Sequence, residues 1–327
     1  MKDFNYIQPD SLSQAGKYLS NRNNDAVILS GGTDLLSLIK ENIYTNENVV
    51  NLKTIPNLNN IKYKKGEGLT IGALTKISDV AESKIIKEKF TVLAEAAKEI
   101  ASLQLRNMGT VGGNICQRPR CWYYREDFDC IKKGGGECFA YQGENKYHCI
   151  IGGGPCYIVH PSDLAVALTA LDAKVKLFFD DSSRIIPIHE FFILPEDDYL
   201  FENILRDGEI VTEIIIPDLP DGAKSSYIKI KERETWDFAV VSAAAVISKK
   251  GSNIKSGKIA YGGVAPIPWT EEIINKSLKN LNADKNEIEK ISKIILADAE
   301  PLEKNKYKVI LAKNLVKRIL TNLVLDA

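Results

Sequence analysis

All six cysteines of this 327-residue chain lie in the polar, glycine-rich segment 116–156. Their pattern is Cys-x4-Cys-x8-Cys-x7-Cys-x10-Cys-x6-Cys, at Cys116, Cys121, Cys130, Cys138, Cys149 and Cys156. Only the first interval approaches the close Cys-x2–4-Cys pairs of structural zinc sites, and four thiolates on a loop-rich segment can equally hold an iron–sulfur cluster. Glycine runs at 134–136 and 152–154 allow the backbone to turn several thiolates toward one centre. The pattern therefore predicts an iron–sulfur cluster, a zinc site, or thiols that are free or paired as disulfides.

Two glycine-rich stretches, LSGGTDL at 29–35 and GTVGGN at 109–114, suggest a second chemistry. Exposed amides in such loops can bind phosphate, and Asp34 can cap the following helix or accept hydrogen bonds from a ligand. The alternative for the first stretch is a plain strand–turn–helix connection. Neither stretch has the G-x-G-x-x-G or G-x-x-x-x-G-K-[ST] pattern, so a nicotinamide-binding Rossmann domain is not supported. Two such loops favour a dinucleotide gripped in another way, such as FAD in an extended form.

Composition narrows the remaining function classes. The chain has 43 basic and 43 acidic residues, so we expect neither nucleic acid nor a membrane surface as a partner. The start, MKDFNYIQPD, has no apolar signal core, and no run of about 18 apolar residues predicts a membrane span. We therefore expect a cytoplasmic, reducing location, where clustered thiols favour metal binding over disulfides. The three histidines lie in neither an HExxH nor a GxSxG context, so no catalytic residues are predicted.

The elements that must position these residues follow from periodicity and turn signals. DAVILSGGTDLLSLIKE predicts a strand, a glycine turn and a helix, and NVVNLKT predicts a short strand. TVLAEAAKEIASLQL predicts one helix, which the glycines at 109, 112 and 113 must end. DLAVALTALDA predicts another helix, and KVKLFF predicts a strand. Beyond Pro217, Pro220 and Gly222, three apolar stretches predict antiparallel strands and two later stretches predict closing helices. Strands followed by helices in the chain predict an α+β C-terminal domain.

Six stretches, in family order, resemble the FAD-binding subunit of the molybdenum hydroxylases, the xanthine dehydrogenase family: LSGGTDLL, TIGALTKISDV, LRNMGTVGGNIC, HPSDLAVALTALDA, ERETWDFAVVSAAAVI and YGGVAPIP. The resemblance covers nearly the whole chain. It implies an α+β fold with a two-subdomain α/β FAD-binding domain at 1–219, split near residue 54, and an antiparallel-sheet-plus-helices domain at 220–327. It also implies an oxidoreductase subunit that is incomplete alone. Its partners would be a large molybdenum-cofactor subunit, a small [2Fe–2S] subunit and an external electron carrier, ferredoxin or NAD.

The segment between GGNIC and HPSD resembles the version of these subunits that carries a [4Fe–4S] cluster. That version is known from 4-hydroxybenzoyl-CoA reductase and from a periplasmic aldehyde oxidoreductase. The resemblance implies four cluster ligands, namely Cys121, Cys130, Cys138 and Cys156. Cys116 falls outside this set, and Cys149 could compete with Cys156 as the fourth ligand. His148 and His160 flank cluster cysteines and could tune the cluster by hydrogen bonding. The rival interpretation is a zinc-stabilised FAD-binding assembly module without electron transfer through the insert.

The resemblance also implies which residues hold FAD. Ile100 falls where a side chain packs near the flavin, Asp163 matches an acid on the ribose or adenosine side, and Lys229 matches a lysine near the flavin ring. The full implied set is Leu29, Ser30, Gly31, Gly32, Thr33, Asp34, Leu35, Leu36, Ile100, Thr110, Gly112, Gly113, Asn114, Gln117, Asp163 and Lys229.

Overall fold

The computed structural model describes residues 1–325, so the last two residues of the predicted C-terminal domain lie outside it. The strands are β1 (Asn5–Ile7), β2 (Ala26–Leu29), β3 (Asn48–Asn51), β4 (Ile61–Lys64), β5 (Gly68–Gly72), β6 (Lys174–Phe179), β7 (Ser182–Pro187), β8 (Ile210–Ile216), β9 (Lys224–Ile230), β10 (Val241–Lys250) and β11 (Asn253–Gly262). The α-helices are α1 (Leu12–Ser20), α2 (Leu35–Lys40), α3 (Ile77–Glu82), α4 (Lys84–Lys89), α5 (Thr91–Lys98), α6 (Leu103–Arg106), α7 (Val111–Ile115), α8 (Trp122–Arg125), α9 (Asp163–Ala170), α10 (Glu272–Leu278), α11 (Lys285–Ile294) and α12 (Tyr307–Val324). Within residues 1–325, no helix combines the length and the apolar character that a membrane crossing requires.

The N-terminal part forms a small parallel sheet with the strand order β1–β3–β2. The central strand β3 is buried at all four positions. Parallel strands need crossover connections, which α1 and α2 provide. As predicted, β2 runs into the first glycine-rich stretch and α2 begins directly after it.

A five-stranded antiparallel sheet follows, in the order β4–β5–β8–β6–β7. Its core also contains α3, α5, α7 and α9. The predicted helix α9 is buried at every position because its sequence, DLAVALTA, is apolar around most of its circumference. Ser162 caps α9 by accepting a hydrogen bond from the Ala165 N–H at 2.9 Å. This buried helix holds Asp163 in the interior of the protein.

The C-terminal part is an antiparallel sheet, β11–β10–β9, covered by helices, which confirms the predicted α+β arrangement. The central strand β10 is apolar on both faces because α9 lies on one face and α12 on the other. Ala244 packs in the core that contains α9, whereas Ala243 and Ala245 pack in the core that contains α12. α10 precedes the two predicted closing helices, and no sequence pattern predicts it.

The prediction of a single helix over TVLAEAAKEIASLQL is wrong. α5 ends at Lys98, α6 begins four residues after Glu99, and Ala101 between them has a left-handed φ of +47°. The Glu99 carbonyl accepts from Lys229 Nζ at 3.0 Å, and the Ile100 carbonyl accepts from Arg106 at 2.7 Å. Side chains therefore bond the carbonyls that a continuous helix would use itself.

The second glycine-rich stretch is helical, contrary to the expectation that its glycines only end a helix. α7 runs through Gly112 and Gly113 after Thr110 caps it by accepting from the Gly113 N–H at 3.2 Å. A Cβ added to Gly112 would lie 2.9 Å from the Cβ of Ala73. Close packing of α7 on its neighbours therefore outweighs the poor helix propensity of glycine.

Candidate functional site

The two glycine-rich stretches face each other across a cleft of about 410 Å³. The hydroxyl of Thr110 donates a hydrogen bond to that of Ser30 at 3.2 Å. A Cβ on Gly31 would lie only 2.2 Å from the Met108 carbonyl oxygen, and Gly32 has a left-handed φ of +76°. Only glycine permits both this approach and this turn. The amides of Gly112, Gly113 and Asn114 already donate within the protein, to Ala73 and Thr110, so the backbone of the first stretch is the part of the cleft left to bind a diphosphate.

Most of the residues predicted to hold FAD line this cleft, namely Ser30, Gly31, Gly32, Thr33, Asp34, Leu35, Thr110, Gly112, Gly113, Asn114 and Gln117. Leu29 is buried at the end of β2, and Leu36 is exposed to solvent, so neither contributes a lining side chain. Arg118 and Glu202 also line the cleft, although no pattern predicts them. The sequence signal for Arg118 is its place just after the second stretch, whereas Glu202 has no local signal.

Asp34 does not cap α2 through its side chain, which corrects one of its two predicted roles. Its carboxylate instead accepts from the Arg118 N–H and pairs with the guanidinium groups of Arg120 and Arg125, each at 2.8 Å. All three donors belong to the beginning of the cysteine segment. The first glycine-rich stretch and the cysteine segment therefore share a partly buried ionic contact.

A second cavity, of about 180 Å³, lies between the start of α9, the start of β10 and the cysteine segment. Arg120 lines both cavities, and Asn114 from the cleft hydrogen-bonds Ser162 in this cavity at 2.6 Å. Four buried polar atoms of its lining, namely Nδ1 of His148, Nε of Arg120, Nε2 of His160 and Oγ of Ser242, have no hydrogen-bond partner among residues 1–325. Unpartnered polar atoms at the end of the glycine-lined cleft are compatible with a polar ring system such as a flavin.

Asp163 lines the second cavity and forms a buried ion pair with Lys229 at 2.7 Å. Burial raises the pKa of Asp163, and the ion pair with Lys229 and the hydrogen bond from the Tyr227 hydroxyl oppose that shift. Lys229 also donates to the carbonyl of Glu99, which precedes Ile100. The predicted roles placed Asp163 and Lys229 at different parts of FAD, and in the structure the two side chains contact each other directly.

The six cysteines are free thiols, and the four predicted ligands share a feature. The sulfur of each accepts at least one hydrogen bond from a backbone N–H two or three residues later in the chain. The donor residues are Tyr123 and Tyr124 for Cys121, Lys132 for Cys130, Ala140 and Tyr141 for Cys138, and Ile158 for Cys156. Such hydrogen bonds stabilise thiolate sulfur, the form that binds metal.

Cys138 and Cys156 interact directly. The Cys156 thiol donates a hydrogen bond to Cys138, which lowers the pKa of Cys138, and backbone N–H groups add to the effect. The same hydrogen bond raises the pKa of Cys156. Burial raises the pKa of Cys121 to about 12, and the charges of Cys130 and Cys138 lie close enough to raise it further. The four sulfurs therefore occupy one region.

No group of three or more His, Cys, Asp or Glu side chains in the described part of the chain is arranged to chelate a metal ion as it stands. A single zinc ion needs its four ligands at about 2.0–2.3 Å from one point. In a four-iron cluster the thiolates bind separate irons and therefore surround a volume rather than meet at a point. The four thiols supply the ligand type that both kinds of site use.

The other two cysteines are held differently. The Cys149 N–H donates to the Tyr157 carbonyl at 3.0 Å, and its own carbonyl accepts from Asn305 at 2.9 Å. Lys308 on α12 is fully buried and donates to the carbonyls of residues 147, 148 and 263. Burial lowers the pKa of Lys308 to about 7. Cys116, the other cysteine outside the predicted set, is also buried, and burial raises its pKa to about 12. The C-terminal domain therefore fixes the backbone at Cys149, which limits its movement toward the other thiols.

His148, but not His160, contacts a predicted cluster ligand. Nε2 of His148 lies 3.2 Å from the Cys121 sulfur, and burial lowers the pKa of His148 to about 4. His160 stacks edge-on against Phe192 with ring centroids 4.7 Å apart, and burial lowers its pKa to about 3. Of the two histidines, only His148 therefore lies where the predicted tuning role would require it, whereas His160 packs on Phe192 and accepts a hydrogen bond from the Ser162 N–H at 3.3 Å.

Comparison with known families gives the class of the chain. Residues 2–219 match the family described as FAD binding domain in molybdopterin dehydrogenase, and residues 226–323 match the CO dehydrogenase flavoprotein C-terminal domain. The chain therefore belongs to the FAD-binding medium subunits of the molybdenum hydroxylase family, which are oxidoreductase subunits.

Relatives of known activity span the whole chain. The aldehyde oxidoreductase FAD-binding subunit PaoB of Escherichia coli is 33% identical over 98% of both chains. The glyceraldehyde dehydrogenase medium chain of Sulfolobus acidocaldarius is 30% identical over 86% of this chain and 84% of the relative. Among solved structures, carbon monoxide dehydrogenase from Hydrogenophaga pseudoflava superposes with a TM-score of 0.76 at 28% identity, covering 99% of this chain and 97% of that one.

Proposed function

We propose that this chain is the electron-transfer flavoprotein subunit of a molybdenum-dependent hydroxylase or dehydrogenase of the xanthine dehydrogenase, aldehyde oxidoreductase or hydroxybenzoyl-CoA reductase type. The observation that carries the proposal is that Cys121 and Asp163 line the same cavity. A predicted cluster ligand and a predicted FAD ligand therefore face the same cavity. When bound, FAD exchanges electrons in pairs and a [4Fe–4S] cluster exchanges them singly, which is the chemistry such a subunit needs.

FAD would be held at two places. The backbone amides of the first glycine stretch would bind its diphosphate, and Thr110 and Ser30 would supply hydroxyls beside them. Asp163, which lines the second cavity, would accept hydrogen bonds from a polar part of FAD there, and the ion pair with Lys229 would hold the carboxylate in place.

The cluster would be held by the thiolates of Cys121, Cys130, Cys138 and Cys156. One observation supports this set over one that includes Cys149. Each of the four sulfurs accepts a backbone N–H from a residue that follows it, whereas the Cys149 sulfur has only the N–H of its own residue. Hydrogen bonds to the sulfurs also tune the reduction potential of a bound cluster.

The partners of the subunit are a large molybdenum-cofactor chain, a small [2Fe–2S] chain, and ferredoxin or NAD as the external carrier. The relatives support this plan through their names, since two are called medium chains and one an FAD-binding subunit. The FAD-binding domain would end near residue 219, where Pro217 and Pro220 separate β8 from β9. A cytoplasmic location remains a prediction from the sequence.

Metal and flavin analysis of the anaerobically purified full chain tests the proposal. We expect one FAD per chain, and iron and acid-labile sulfide at about four each per chain. Zinc at about one per chain without iron would instead support the zinc-stabilised assembly module. Robust aldehyde or purine oxidation by this chain alone would contradict the subunit assignment, because no molybdenum site is expected in it.

A further inference from the structure

Asp34 connects the first glycine-rich stretch to the cysteine segment. It follows Thr33 directly, so its backbone belongs to the loop that faces the diphosphate site. Its carboxylate has three partners at 2.8 Å: the Arg118 N–H and the guanidinium groups of Arg120 and Arg125. The Asp34 side chain is 16% exposed and that of Arg125 is 10% exposed, so solvent screens this contact weakly.

Arg125 extends the connection in both directions. On the side of the glycine stretch it donates to the Ser37 hydroxyl of α2 at 3.2 Å. On the side of the cysteine segment it donates to the Pro119 carbonyl at 2.8 Å and is the last residue of α8. Cys121 is the N-cap of that four-residue helix, and its carbonyl accepts from the Arg125 N–H at 3.0 Å. One short helix therefore separates a predicted cluster ligand from the Asp34 contact.

We infer that Asp34 is a positioning residue that couples FAD binding to cluster binding. This inference rests on the proposed function. Ordering the glycine stretch around FAD fixes Asp34, which fixes Arg118, Arg125 and the start of α8, and thus places the Cys121 sulfur. Thermodynamic coupling is reciprocal, so a bound cluster that fixes Cys121 must strengthen FAD binding by the same factor.

The experiment measures the FAD dissociation constant of the full chain by flavin fluorescence, with the cluster loaded and after its removal by chelator and oxidant. Couplings between sites are typically about 5–150-fold, and we expect about tenfold tighter FAD binding with the cluster present in the wild-type chain. Asp34→Asn keeps the shape of the side chain and removes its charge. In this variant the coupling should fall below about twofold.

Glu41→Gln is the matched control. Glu41 also lies next to α2 and faces Arg125, but at 3.6 Å and with 40% exposure, so its loss should leave the tenfold coupling intact. Arg125→Gln removes the one partner of Asp34 that belongs to α8 and should lower the coupling in the same direction as Asp34→Asn, which preserves the test if either variant folds poorly. Equal coupling in Asp34→Asn and Glu41→Gln overturns the inference alone. Wild-type chain that binds FAD but no iron overturns the proposed cluster function and this inference together.

Discussion

Replacement of Lys229 by methionine should destabilise the protein in a pH-dependent way. Lys229 and Asp163 are 1% and 5% exposed in their side chains, and their charges are 2.7 Å apart. Methionine roughly preserves the apolar stem of lysine but leaves the Asp163 carboxylate buried with Tyr227 as its remaining side-chain partner. Breaking one side of a buried ion pair typically costs about 3–5 kcal/mol.

The loss has an upper bound, because the stranded carboxyl group can take up a proton. Protonating a carboxyl group of ordinary pKa, about 3.9, costs about 4 kcal/mol at pH 7 and about 1.5 kcal/mol at pH 5. In the variant, the pKa of Asp163 in the folded state is raised above its unfolded value, so stability is regained as pH falls. We therefore expect Lys229→Met to lose about 3–4 kcal/mol at pH 7 and at most about 1.5 kcal/mol at pH 5.

Urea unfolding of the flavin-free chain, followed by tryptophan fluorescence at both pH values, measures these losses. Lys231→Met is the control, since its pair with Glu99 is partly exposed and should be worth about 1 kcal/mol or less at either pH. The double variant Lys229→Met/Asp163→Asn should regain most of the free energy of unfolding that Lys229→Met loses at pH 7. Equal losses at the two pH values, or a loss no larger than that of the control, would refute the assignment of Asp163 as a buried charge.

Three further outcomes are expected. Cys156→Ser should lose iron and the EPR signal of the reduced protein while Cys149→Ser keeps both, and the reverse result would identify Cys149 as the fourth ligand. Gly32→Val should purify with less FAD, because a β-branched residue is strained at a φ of +76°; full flavin occupancy would contradict this. The pKa of Lys308 is about 7 in the folded chain, so between about pH 7 and about pH 10 the unfolded chain binds more protons than the folded chain. The free energy of unfolding in urea should therefore rise with pH over this range. Lys308→Met should flatten that rise.

Local sequence patterns predicted the elements whose residues interact mainly with near neighbours in the chain. The strand–glycine–helix unit around β2 and α2, the helix α9 and the antiparallel strands of the C-terminal sheet follow from periodicity and turn residues. The helix break after α5 could not be predicted, because the Lys229 ammonium that bonds the Glu99 carbonyl lies on a distant strand. α7 was unpredictable for the same reason, since the close approach of Ala73 and Ser30 makes its glycines necessary.

The sequence by itself determined the chemistry available at the candidate site: thiols in one segment, amides in two glycine stretches, and the order of motifs that resembles one family. Only the tertiary structure decided which of these groups meet. It paired Asp163 with Lys229, turned the Asp34 carboxylate from its predicted cap toward three donors of the cysteine segment, and fixed Cys149 through Asn305. These contacts join residues far apart in the chain, and their energy depends on burial and distance, quantities that no local pattern encodes.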